Sequence, residues 1–122
     1  MEARNMQYIL LGGAIFNFLG GTRILVSFAA LSDSQKSSPP DYALYRLFTA
    51  GAGFTFSAMY FYLFQNPQYA MPFLIFGMCL KFWAFVVSFF AYRRYGLSSK
   101  DLLRFGVSNL VLGGLFGLYL MS

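Results

Sequence analysis

Three basic residues lie inside long apolar stretches of this 122-residue chain: Arg23, Arg46 and Lys81. A charged side chain at the bilayer centre costs about 2.5–3.5 kcal/mol on insertion scales, so it needs a partner, a wet cavity or a route to the surface. None of the four acidic residues lies inside an apolar stretch. Because a buried charge without a counter-charge is costly, we expect an anionic group from outside the chain to pair with these cations. This anionic group is a lipid phosphate, a phosphate or carboxylate ligand, a small anion, or an acidic side chain of another subunit.

The depth of each cation follows from the helical rise of 1.5 Å per residue. Counted from the loops that carry most of the basic residues, Arg46 lies about 6 Å, Arg23 about 12 Å and Lys81 about 16 Å inside. If the helices turn these residues toward one another, they form a positive ladder. Alternatively, Arg23 donates to backbone carbonyls, and Arg46 extends along the helix to phosphates at the interface.

Two amides complete the candidate binding residues. Asn17 and Asn109 both fall in the middle of an apolar stretch. Such amides commonly form hydrogen bonds between membrane helices, and a ligand contact is the alternative.

Four apolar stretches must position these groups, over residues 8–31, 42–64, 71–92 and 102–121. Each is about 20 residues long, which is the length of a helix that crosses a bilayer. The chain is 58% hydrophobic and 11% charged, which excludes disorder and an ordinary soluble domain. We therefore predict an all-α fold, an integral membrane four-helix up-down bundle, with residues 1–122 forming a single transmembrane domain.

Small residues recur every three or four positions in each stretch, and such stripes are where membrane helices pack. The predicted stripes are Gly13, Asn17, Gly20, Arg23, Ser27 and Ala30; Arg46, Ala50, Gly53 and Ser57; Gly77, Lys81, Ala84, Ser88 and Ala91; and Gly106, Asn109, Gly113 and Gly117. Lys81 is accordingly predicted to point into the bundle.

Capping residues predict where helices begin and end. Ser38 followed by Pro39 predicts the start of the second membrane helix, and Ser98 with Asp101 predicts the start of the fourth. Gly96 predicts the end of the third.

The basic residues also predict the orientation. Lys36, Arg93, Arg94 and Lys100 lie in the loops after the first and third stretches, whereas the opposite side has only Arg4. Positively charged loops stay in the cytoplasm, so we place loops 32–41 and 93–100 inside and both termini outside the inner or plasma membrane. The net charge of +5 is thereby explained without a nucleic-acid partner.

Several kinds of chemistry lack the residues they need. The chain has no histidine and one cysteine, Cys79, so haem ligation by histidine is excluded and a metal cage is unsupported. The four apolar stretches contain no carboxylate, so they lack the group that carries protons through a membrane protein. No nucleophilic residue lies beside a base. We therefore predict no catalytic residues, no metal site and no cofactor, and favour a protein that is not an enzyme.

The sequence Leu44-Tyr45-Arg46-Leu47-Phe48 followed by glycines, together with Lys81 in the third span, resembles the small four-helix DoxX-like bacterial membrane proteins. The resemblance covers most of the chain through short motifs. It implies a four-helix fold and an association with a quinone-linked oxidoreductase complex.

Three hypotheses for the function follow. The favoured one is a non-catalytic accessory subunit of a larger membrane complex or a lipid-binding component, with membrane lipids and other subunits or further copies of the chain as partners. The second is a small anion channel or carrier, in which the three cations lower the barrier for anions. The third, implied by the resemblance alone, is a subunit of a quinone-linked oxidoreductase.

Overall fold

The computed structural model describes residues 7–122, and every regular element in that range is a helix. Helices α1 (Tyr8–Ala29), α2 (Asp33–Lys36), α3 (Tyr42–Gln65), α4 (Ala70–Arg94) and α5 (Ser99–Met121) follow one another along the chain. All except α2 are long and apolar enough to cross a membrane. The predicted all-α fold with four membrane-spanning helices is confirmed, and the helix bounds differ from the predicted ones by at most three residues.

Two short segments depart from regular α-helix. A 3₁₀ turn over Pro67–Tyr69 leads into α4. Within α5, Leu102–Val107 form π-helix, and the hydroxyl of Ser108 donates to the Leu103 carbonyl five residues earlier. The π-helical segment lies one turn after the start of α5, before the buried Asn109.

The chain divides into two compact units. We call Leu10–Gln65 the first hairpin; it contains α1 and α3. We call Asn66–Ser122 the second hairpin; it contains α4 and α5, and residues 7–9 pack with it.

In the first hairpin, α1 and α3 pack side by side in opposite directions through small residues. Their contacts pair Ser57 with Ala14, Gly53 with Asn17, Ala50 with Gly21 and Arg46 with Ser27. The approach is close, since a Cβ added at Gly21 would lie 3.0 Å from the Ala50 carbonyl oxygen. The predicted stripe of α3 is confirmed. The stripe of α1 is wrong in part, because Gly21 and not Gly20 faces α3, and Gly20 has open space around it.

In the second hairpin, the small residues predicted to face a neighbour do so. Their contacts pair Ser88 with Gly106, Lys81 with Gly113 and Met78 with Gly117, so α4 and α5 are also antiparallel. Gly77, Lys81 and Ser88 are buried, whereas the side chain of Phe76 is 74% exposed. The stripes of α4 and α5 are thus confirmed.

The ends of α4 and α5 follow the predicted capping. Helix α4 ends at Arg94, and Gly96 reverses the chain with a φ of 78°, a backbone conformation that suits glycine. The Ser98 hydroxyl caps α5 by accepting from the Asp101 N–H at 3.1 Å.

The predicted cap at Ser38 is wrong. Helix α3 begins at Tyr42, whose N–H donates to the Pro39 carbonyl. The capping serine of this loop is Ser32, which exchanges hydrogen bonds with Gln35 at the start of α2. Ser32 caps α2 and not α3; the Gln at the third position after it completes a capping box.

Candidate functional site

The candidate site with the most polar contacts between helices surrounds Arg46, one turn after the start of α3. The guanidinium is half-buried, and its Nη2 donates to the Ser27 hydroxyl at 2.6 Å and to the Ile24 carbonyl at 3.5 Å. Ser27 in turn donates to the Ile24 carbonyl at 3.1 Å. The closest contact of Arg46 is therefore a neutral hydroxyl, and its positive charge is held in place without being neutralised.

The remaining donors of Arg46 have no acceptor among residues 7–122. Its Nε is shielded from solvent and makes no hydrogen bond, and Nη1 donates to no described residue. An arginine carries five N–H donors and matches phosphate or carboxylate in two-pronged geometry. Nη1 thus retains donors for an anion, whereas Nε is covered by the surrounding side chains and backbone.

Aromatic rings connect Arg46 to a second cation. The Arg46 Cζ lies 5.8 Å from the ring centre of Tyr42, whose ring is 6.2 Å from that of Phe28. The Lys36 Nζ lies 5.6 Å from the Phe28 ring. We call Ser27, Phe28, Lys36, Tyr42 and Arg46 the Arg46 cluster. It combines two cations with rings that are typical of the membrane–water interface.

A shallow groove of mixed polarity adjoins this cluster at the loop end of the first hairpin. It has a volume of about 520 Å³ and is lined by Leu31, Ser34, Gln35, Ser38 and Tyr42. Tyr42 belongs to both the groove and the Arg46 cluster, so the two are adjacent, although neither Arg46 nor Lys36 lines the groove itself.

Arg23 does not lie where its spacing predicted. Its side chain is exposed and makes no hydrogen bond or ion pair with any residue the structure describes. Because Gly21 is the glycine that faces α3, Arg23 is rotated away from the contact, and the hypothesis that it lies on the α1 packing stripe is wrong. The structure does not bring Arg23 to Arg46, which contacts Ser27 instead.

Lys81 and Asn109 share the packed face of the second hairpin. Each is only 3% exposed, and the Lys81 Cβ packs against Gly113. The predicted inward orientation of Lys81 is confirmed. The interhelical hydrogen bond expected of Asn109 is not formed within the described chain, because its amide donates to the Phe105 carbonyl of its own helix at 2.7 Å.

Asn17 lies on the contact between α1 and α3, as predicted. The residue is half-buried, and its backbone carbonyl oxygen lies 3.2 Å from where a Cβ of Gly53 would be.

Sequence reasoning singled out Arg46 but missed the residues around it. Ser27 was assigned to packing alone, Lys36 to orientation, and Tyr42 and Phe28 to no site. The signal available was the position of Ser27 and Arg46 near the ends of two antiparallel membrane helices that loop 32–41 connects, which places them at the same depth.

Other site types find little support in the described chain. No group of three or more His, Cys, Asp or Glu side chains within residues 7–122 is placed to hold a metal ion. Comparison with protein-family models, curated proteins and solved structures found no match to this chain.

Proposed function

We propose that this protein is a non-catalytic component of a larger membrane assembly, in which its cations bind acidic groups supplied by lipids or neighbouring subunits. The observation that carries the proposal is Arg46, a fixed guanidinium with unused donors and no acidic contact among residues 7–122. Asp101, in the first turn of α5, is the one acidic residue of the four membrane-spanning helices, and no Asp or Glu lies deeper in any of them. An anion from outside would supply what the chain lacks.

The surface of the spans supports the same function. Large side chains such as Phe48 and Phe76 are more than 70% exposed, as suits helices surrounded by lipid or by other subunits. Arg93 and Arg94 lie in the last turn of α4, and Lys100 follows in the first turn of α5. We place this basic end of the second hairpin in the cytoplasm, together with loop 32–41.

The test is purification from the native membrane in a mild detergent, followed by mass spectrometry of the intact assembly. We expect wild type to retain a protein or an acidic lipid in fixed stoichiometry, and Arg46→Leu to lose it. Arg104→Leu is the matched control, because it also removes one charge but from an exposed position in the π-helical segment. Equal retention by all three proteins, or a bare monomer in each, would contradict the proposal.

The position of Lys81 supports a second candidate, a small anion channel or carrier. This lysine is buried within α4, a helix of 25 residues, at its twelfth position. Fixed positive charge inside a membrane lowers the barrier for anions. Halide or small-carboxylate flux into proteoliposomes that rises with the amount of protein would support this candidate, whereas flat traces at several protein loads would remove it.

A further inference from the structure

We propose that the groove at the loop end of the first hairpin binds the headgroup of an anionic phospholipid, with Arg46 and Lys36 contacting its phosphate. This inference rests on the proposed function, since it names the ligand of the same cation. It commits to a lipid and not to a soluble anion.

The charge of the site suits a phosphate. The Arg46 Nη1 makes no hydrogen bond with a described residue, and the guanidinium lies beside the Tyr42 ring. Lys36 makes no ion pair within the described chain and lies against the Phe28 ring. Asp33 and Asp41 are exposed and pair with neither cation. Both cations contact aromatic rings, and neither forms an ion pair with a carboxylate of the described chain. Their positive charge can therefore bind a negatively charged group.

The groove suits the remainder of a hydroxylated headgroup. Three of its lining residues carry hydroxyl groups, Ser34, Ser38 and Tyr42, and Gln35 adds an amide. The capping box between Ser32 and Gln35 fixes the backbone of this wall.

The location favours a lipid over a soluble anion. The groove lies where α1 ends and α3 begins, the level at which headgroups meet membrane helices. The helices that continue from it expose large apolar side chains, Val26 on α1 and Leu44 and Phe48 on α3, which offer a surface to acyl chains.

The experiment is a lipid titration of the detergent-purified full chain, read by native mass spectrometry. The probes are phosphatidylglycerol, phosphatidylcholine and soluble glycerol 3-phosphate. We expect phosphatidylglycerol to bind at least about tenfold more tightly than phosphatidylcholine, with Arg46→Leu and Lys36→Met each weakening it about fivefold, the effect of one basic residue near an anionic lipid surface. Glycerol 3-phosphate should not compete, because it lacks acyl chains.

The controls are Arg104→Leu and Lys100→Met, which make the same charge changes in the second hairpin. Ser38→Ala, which removes a groove hydroxyl that bonds to no described residue, gives a second test if Arg46→Leu does not fold; it should weaken phosphatidylglycerol binding and leave phosphatidylcholine binding unchanged.

Three results would overturn the inference: equal affinity for the two lipids, equal losses in the control variants, or effective competition by glycerol 3-phosphate. If retention in the native membrane still depends on Arg46 while any of these is found, the proposed function stands and only the lipid assignment fails. If Arg46→Leu changes neither measurement, both fail.

Discussion

The guanidinium of Arg46 donates a 2.6 Å hydrogen bond to the hydroxyl of Ser27 and so joins the loop ends of α3 and α1. The acceptor is neutral, so the bond orients the charge and leaves it available to an anion. Ser27 thus positions the guanidinium, whereas the group that would neutralise its charge must come from elsewhere. The functional proposals rest on this difference.

A double-mutant cycle over Ser27→Ala and Arg46→Leu measures this bond. Hydrogen bonds between membrane helices have coupling energies of about 0.6 kcal/mol on average and up to roughly 1.7 kcal/mol. We expect a value near the upper end of that range, because the contact is short and charge-assisted. The measurement is reversible unfolding in mixed micelles. Strict additivity of the two substitutions would show that the bond contributes nothing.

Gly21→Ala should destabilise the first hairpin by about 1–3 kcal/mol, the usual cost of overpacking. Its new methyl group would meet the backbone oxygen of Ala50, which cannot move aside as a side chain can. Gly20→Ala is the matched control: nothing lies within 4 Å of it, and alanine favours a helix by up to about 1 kcal/mol. The account fails if thermal unfolding ranks the two variants in the opposite order.

The same two glycines explain how far the sequence could predict this fold. In α4, small residues form one stripe among phenylalanines, so the face containing Lys81 and Ser88 could be read directly. In α1, adjacent Gly20 and Gly21 satisfy two helical phases equally well, and only the position of the Ala50 carbonyl decides between them. Arg23 was misplaced along with Gly20 for that reason.

Other features depend on packing or on loop geometry. Spacing rules assume 3.6 residues per turn, so they do not reveal the π-helical segment Leu102–Val107. The loop before α3 contains several serines that could cap a helix, and the pattern around Ser38 was as plausible as that around Ser32. The pairing of Lys36 with Phe28 required the path of this loop, which the sequence alone does not give.

Ser98→Ala should destabilise the second hairpin by about 0.5–2 kcal/mol, the usual cost of losing an N-cap. Ser38→Ala should change stability by much less, because Ser38 caps no helix in this structure. Unfolding midpoints of the two variants in the same detergent provide the comparison. A larger loss from Ser38→Ala would restore the cap that the sequence predicted and contradict the observed start of α3.

Cysteine labelling tests the proposed orientation. In a Cys79→Ala background, Ser37→Cys and Ser99→Cys should resist a membrane-impermeant maleimide applied to intact cells, whereas Gln68→Cys should react. The reason is that basic loops are retained in the cytoplasm, and Gln68 lies in the uncharged turn between α3 and α4. Labelling of the first two positions without the third would reverse the topology.

The most direct test of the claim that Arg46 binds an anion from outside the chain is a solid-state NMR distance measurement in proteoliposomes. Arginine is labelled with ¹⁵N, the bilayer contains phosphatidylglycerol, and dephasing between guanidinium nitrogen and lipid ³¹P reports direct contact. We predict a short-range contribution in wild type, as expected for N–H···O distances of about 2.7–2.9 Å between guanidinium and phosphate. It should be smaller in Arg46→Lys, in which the other five arginines remain labelled. Identical dephasing curves for the two proteins would contradict the claim.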